Sequence, residues 1–93
     1  MPTVRVEIPG LLRDFTKGEG EFLVSAMSVG GALEAAVARH PMLRSHLADE
    51  HGRPRKNVNV FHNVEIVRGA EELAAPVAEG DRITILQSLS GGG

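Results

Sequence analysis

The sequence predicts an α+β domain in which a sheet of β-hairpins packs on one main helix, and three observations predict it. Apolar and polar residues alternate over short runs at 4–8, 58–62 and 82–86, the period of half-buried strands. One stretch alone, from Ser28 to Arg39, carries apolar residues at helical spacing, over about three turns. Turn-forming glycine, asparagine and proline separate these segments, so that strands flank the helix on both sides.

Taken in order, Val4, Val6 and Ile8 alternate with Arg5 and Glu7, and Pro9-Gly10 stops this strand. Leu11 to Thr16 lead to the glycine-rich turn Lys17-Gly18-Glu19-Gly20. Glu21-Phe22-Leu23-Val24 then returns as the second arm of an antiparallel hairpin. Its register stays open, because Phe22-Leu23-Val24 is a continuous apolar run. Ser28 is positioned to cap the helix, whose apolar stripe is Val29, Ala32, Leu33, Ala36 and Val37. Pro41 ends it, since the residue before a proline is pushed out of the α region. Gly30 and Gly31 are read as tolerated first-turn glycines, with close approach of the helix to a neighbour as the other reading.

Residues 41–47 form a possible short second helix with Leu43 and Leu47 one turn apart, and Gly52 to Lys56 form a loop. Val58, Val60 and His62 share one parity of the next strand, Asn59 and Phe61 the other. His62-Asn63 is a tight turn, Asn tolerating the positive φ that hairpins need. Val64 to Val67 pair back. Residues 71–77 connect, with Leu73 and Val77 inward, and Glu79-Gly80-Asp81 turns into the last strand. There Ile83 and Ile85 face one way, Thr84 and Leu86 the other. One sheet face lies on the helix and the other in water, which leaves Phe61 and Leu86 outward as candidates for a partner-docking patch.

Composition narrows the function classes. A chain of 93 residues, 42% hydrophobic and 24% charged, is one globular domain with no apolar run of membrane-spanning length. The first residues enter strand alternation directly, and a cytoplasmic protein is expected. Without cysteine there is no disulfide, thiolate metal site or thiol nucleophile. Ten basic and twelve acidic residues give a formal charge of −2, with three Phe and no Tyr or Trp, so neither nucleic acid nor membrane is expected as a partner. The basic run Arg53-Pro54-Arg55-Lys56 reads as a solvated loop.

No catalytic or metal site emerges. His40, His46, His51 and His62 lack metal-ligand spacing, and Ser45-His46 with Asp49 is a polar turn and not a triad. Neither Gly18-x-Gly20 nor Gly30-Gly31 continues into a phosphate loop.

The remaining feature is the end of the chain. Directly after the last strand come Ser88-Leu89-Ser90-Gly91-Gly92-Gly93. Glycine lacks a Cβ, so such a run makes a thin thread, ending in a carboxylate, that can enter a narrow channel. Taken alone it is equally compatible with a frayed terminus or a linker.

The chain as a whole resembles the ubiquitin-like sulfur carriers of the β-grasp fold, a family that includes the thiamine sulfur carrier, the small subunit of molybdopterin synthase and the cysteine-synthesis carrier of actinobacteria. The opening strand Val4 to Pro9 with Leu11-Leu12-Arg13, the strand-turn with Asn59, Phe61 and Asn63, and above all Leu73 to Leu86 with its Glu79-Gly80-Asp81 turn carry the likeness. The terminal Gly-Gly is the family's functional signature. Two departures stand out: Gln87-Ser88-Leu89-Ser90 replaces the usual prolines and small pair, and the tail has three glycines instead of two.

The resemblance implies a β-grasp domain over residues 1–87, a mixed sheet of four to five strands on one main helix, and a flexible tail over 88–93. It implies that an E1-like adenylating enzyme uses ATP to activate the Gly93 carboxylate, or that of Gly92 if the last residue is trimmed. Sulfur then displaces AMP, and the resulting thiocarboxylate passes to a sulfur-accepting synthase. Gly91 and Gly92 would thread the channel, Phe61, Leu86 and Leu89 would contact the partner, and the chain itself would hold no catalytic residue, cofactor or metal. Thiamine, molybdopterin, cysteine and secondary-metabolite routes share this body plan. A ubiquitin-like modifier joined to target lysines is the alternative, because it starts from the same activated carboxylate.

Overall fold

The computed structural model describes residues 1–47, 55 and 57–87. Its core is one five-stranded mixed sheet in the spatial order β2-β1-β5-β3-β4, where β1 is Thr3–Glu7, β2 Glu21–Ser25, β3 Val58–His62, β4 Glu65–Val67 and β5 Arg82–Gln87. β1 pairs antiparallel with β2 from Thr3↔Ser25 to Glu7↔Glu21, and β3 pairs antiparallel with both β4 and β5. The two hairpins are joined by a parallel pairing of β1 with β5, Val6 opposite Ile83. This makes the last strand the central one, and the expected mixed sheet of four to five strands is present at its upper number.

The alternation sets the faces. Val4, Val6, Val58, Val60, Ile83 and Ile85 all point to the helical side and are buried, Val4, Val6 and Ile83 completely. Phe22 and Val24 join them and Leu23 turns outward, which resolves the open register of the first hairpin. Burial of such side chains, each contributing about 1.5–3 kcal/mol, is what holds the sheet to the helix.

The helix α1 spans Val29–Arg39, and the Ser28 hydroxyl accepts the Gly31 N–H at 3.0 Å, as its capping position requires. Val29, Ala32, Ala36 and Val37 are buried along the expected stripe, and Leu33 packs at its margin. The segment 41–47 is helical as expected, a 3-10 turn Pro41–Leu43 followed by α2, Arg44–Leu47.

Three expectations are corrected. Gly10–Thr16 is a 3-10 helix instead of a plain link; it buries Leu12 and Thr16, and the Thr16 hydroxyl bridges the carbonyls of Arg13 and Glu19. Hydroxyl-to-backbone bonding of this kind stabilises a turn that apolar patterning alone does not reveal. The β3–β4 turn is Asn63-Val64, one residue later than read: His62 ends β3, Asn63 has φ 55° and Val64 is 90% exposed. Gly30 is a site of close approach. A Cβ there would lie 3.2 Å from the Leu73 carbonyl oxygen, because α3 (Ala70–Ala74) and the segment after it run against the start of α1, with Val29 N–H bonded to Ala75 O. Gly31, in contrast, would only crowd its own cap, Ser28.

Candidate functional site

The glycine-ended segment follows β5 directly in sequence, so the site is built outward from that strand. Arg82, Thr84 and Leu86 face away from the helices while Ile83 and Ile85 anchor β5 in the core. Arg82 to Thr84 are flanked on one side by β1, and Ile83 to Gln87 on the other by β3, where Gln87 pairs with Val58. The strand that carries the tail is therefore held almost to its last residue. Ser88 to Gly93, including Leu89, Gly91, Gly92 and Gly93, lie outside the described residues.

Leu86 is 47% exposed and opposite Asn59, and Phe61, half-buried, stands opposite Thr84 on the same face. Diagonal neighbours across a strand pair lie within reach of long and aromatic side chains, so Leu86 and Phe61 belong to one patch. The structure adds Ile66, opposite Phe61 on β4 and half-buried. Sequence reasoning missed it, although buried Val67 beside it gave the parity signal. Leu23, 61% exposed, lies across the same face on the far side of β1.

A polar seam divides these apolar groups. The Glu7 carboxylate accepts the Thr84 hydroxyl at 3.0 Å through one oxygen and pairs with Arg82 Nε at 3.2 Å through the other. Asn63 closes the end of the seam. Its side-chain oxygen accepts the Arg82 N–H at 3.0 Å, and its own N–H donates to Arg82 O at 2.7 Å. His62 Nε2 lies 2.7 Å from Asp81 Oδ2, which also accepts the Ala78 N–H at 2.9 Å. The His62 contact, then the Ala78 bond, holds the Asp81 carboxyl below its ordinary range. These contacts tie the β3–β4 turn to the Glu79-Gly80-Asp81 turn and fix where β5 begins.

The other histidines also have local partners. His40, buried, meets Glu19 Oε1 at 2.7 Å, and Arg39 grips both Glu19 oxygens at 2.9 and 3.0 Å. Chiefly through Arg39, the Glu19 carboxyl is lowered to about 2. His46 stacks on Phe15 with ring centroids 3.9 Å apart. His51 and Asp49 lie outside the described residues. Among the described residues no cluster of three or more potential metal ligands occurs, and no helix is long and apolar enough to cross a membrane. Of the basic run, Arg55 is exposed, with Nε on Ser45 O at 2.6 Å, and its neighbours Arg53, Pro54 and Lys56 lie outside the described residues.

Comparison with known proteins gives a consistent result. The ThiS family profile matches residues 6–92. The sulfur carrier protein CysO of Mycobacterium tuberculosis is 33% identical over 91 residues, covering 96% of this chain and 98% of that protein. Small archaeal modifier protein 1 of Haloferax volcanii is 35% identical over 65 residues, 70% of each chain. A chain of the crystal structure of the Amycolatopsis orientalis BexX/CysO complex superimposes with a TM-score of 0.83 at 34% identity, covering 96% of this chain and 99% of that one.

Proposed function

Since this chain belongs to the ThiS family of ubiquitin-like sulfur carriers, we propose that its C-terminal carboxylate, on Gly93, is the atom group that carries sulfur. The observation that supports this most directly is the placement of β5. The central strand of the sheet is the one that immediately precedes the glycine-ended segment in sequence, and Leu86, near its end, shares an apolar patch with Phe61 and Ile66. Phe61, Leu86 and Leu89 are the residues that dock on an E1-like partner, in keeping with the family's partner-activated chemistry.

A carboxylate resists nucleophiles because it is anionic and its oxide leaving group is poor. One carboxylate oxygen attacks the α-phosphorus of ATP in the partner's site, pyrophosphate leaves, and an acyl adenylate remains. Magnesium and cationic groups there stabilise the phosphoryl transfer. Hydrosulfide then adds to the carbonyl carbon, the C–O bond to AMP breaks, and the thioacid loses its proton to give a thiocarboxylate. A persulfide donor forms an acyl disulfide by the same displacement, and a second thiol reduces it to the same product. No electron transfer occurs on the hydrosulfide route. The chain supplies the reacting group and the docking surface, and the catalytic groups belong to the partner. Gly92 and Gly93 suit the reaction because a Cβ would crowd both the carbonyl under attack and the channel around it. Trimming of Gly93 would transfer the role to Gly92.

The test uses the full chain with its cognate activating enzyme, ATP and sulfide. Intact-mass measurement is expected to show exchange of one oxygen for one sulfur, and Gly92→Phe and Gly93→Phe are expected to abolish it with unchanged thermal unfolding. Full conversion in those variants refutes the assignment. The likeness to small archaeal modifier protein 1 supports a second reading, an isopeptide bond to target lysines. Lysine adducts in lysate that vanish in the Gly93 variant identify that route, and trapping of the thiocarboxylate by an electrophilic reagent identifies the first. The similarity to CysO proteins favours cysteine synthesis as the sulfur's destination among the routes that share this fold.

A further inference from the structure

The outer face of the sheet carries a charge arrangement that the internal architecture does not require. Arg5 of β1 and Arg82 of β5 are paired residues in the parallel register, and both side chains are exposed on the face opposite the helices. Adjacent strands are about 4.8 Å apart, and like charges placed directly opposite each other destabilise a sheet. Among the described residues Glu7, paired with Arg82, and exposed Glu21, opposite Glu7 on β2, offset this repulsion in part. Glu7 is the nearest carboxylate in register, and its two oxygens are already taken by Thr84 and Arg82. Asp81, just before Arg82, accepts from His62 and Ala78. Among the described residues no carboxylate lies within 4.0 Å of the Arg5 guanidinium. Arg5 is also flanked across β2 by exposed Leu23, an apolar neighbour that leaves its charge facing solvent.

From this juxtaposition we infer that Arg5 and Arg82 form a cationic contact on the docking face, matched by acidic side chains on the activating enzyme. The inference rests on the sulfur-carrier reading above and specifies the chemistry of the partner it invokes. The pair is continuous with the apolar patch. Leu86 is four residues along β5 from Arg82, about 13 Å at the usual rise, so one partner surface covers both. The apolar end, next to the tail, supplies burial, and the cationic end fixes which way the sheet lies on the partner. Exposed charges act mainly on association rate and register, through complementary potentials. Arg82, tethered to Glu7, is held in place, whereas among the described residues none bonds to the Arg5 guanidinium, whose forked donors suit a carboxylate.

The test measures association of the full-length chain with its cognate activating enzyme, together with steady-state adenylation, over a range of ionic strength. For the unaltered protein the association rate falls as salt rises, because the Debye length shrinks from about 30 Å at 0.01 M to about 10 Å at 0.1 M. Arg5→Glu is expected to slow association roughly tenfold at low salt and flatten the salt dependence, with kcat unchanged. Arg5→Gln, which also relieves the repulsion with Arg82, is expected to lie between the two with thermal stability equal to or above that of the unaltered chain. Arg82→Gln reports on the second cation and is read alongside its melting temperature, since it also releases Glu7. Equal association rates and salt slopes for the Arg5→Glu and unaltered chains, or faster association of Arg5→Glu, overturn the inference while leaving the sulfur-carrier reading intact. Failure of the unaltered chain to be adenylated at all overturns both.

Discussion

Asn63 offers a sharp test of how this scaffold positions its last strand. It belongs to the strand-turn that resembles the family's pattern, yet the structure gives it a purely architectural task. Its backbone is left-handed at φ 55°, its side-chain oxygen accepts the Arg82 N–H at 3.0 Å, and its N–H donates to the Arg82 carbonyl at 2.7 Å. Asn63→Gly keeps the backbone geometry but loses the side-chain hydrogen bond, worth about 1 kcal/mol, and adds about 0.5 kcal/mol of unfolded-chain entropy. Asn63→Ala loses the same bond and also the short polar side chain that lets Asn, which already carries a Cβ, occupy the left-handed region, a cost of about 1–2 kcal/mol. The expected losses are therefore about 1.5 kcal/mol for glycine and about 2.5 for alanine. In a domain of this size each kcal/mol lowers the melting temperature by about 4–8 °C, so the alanine variant should melt that much below the glycine variant. Thermal unfolding followed by circular dichroism checks the order. Adenylation kinetics, taken well below both melting points, should show KM and kcat unchanged. An alanine variant as stable as the glycine variant, or a raised KM without loss of stability, refutes the architectural assignment.

Two further outcomes are expected. Leu86→Asp and Phe61→Asp place a charge in the apolar patch beside the tail. They should raise KM for adenylation by roughly tenfold or more each while kcat holds, because a desolvated apolar contact carries more binding energy than its rim. Unchanged KM in steady-state assays would remove the patch from the docking surface. For pH, Glu19 has its carboxyl lowered from 4.5 to about 2, first by the Arg39 hydrogen bond and then by His40. A depressed carboxyl stabilises the fold above its unfolded value and loses that contribution as pH falls through the folded one. Stability should therefore decline as pH drops from about 4.5 towards about 2, and Glu19→Gln should blunt that decline. A pH profile identical in the two proteins would show that the cluster of Glu19, Arg39 and His40 is neutral to folding.

Local rules in the chain itself settled the inward faces of β1, β3 and β5, the Ser28 cap, the α1 stripe and the left-handed Asn63, because each depends on neighbours within a few residues, whereas the facing of β2 and the bounds of the β3–β4 turn came from the structure. Val4, Val6, Ile83 and Ile85 could be assigned to the core from alternation alone, and Phe61 and Leu86 to the outer face by the same parity. Family likeness supplied the mixed character of the sheet. Only the tertiary structure decided which strands meet. The parallel seam of β1 and β5 joins residues nearly at opposite ends of the chain, and no local pattern encodes that closure. That seam makes β5 central, brings Arg5 against Arg82, and binds Glu7 to Thr84. Likewise, Gly30 reads as an ordinary first-turn glycine until the Leu73 carbonyl is found beside it, since a close approach is a property of two segments and not of one.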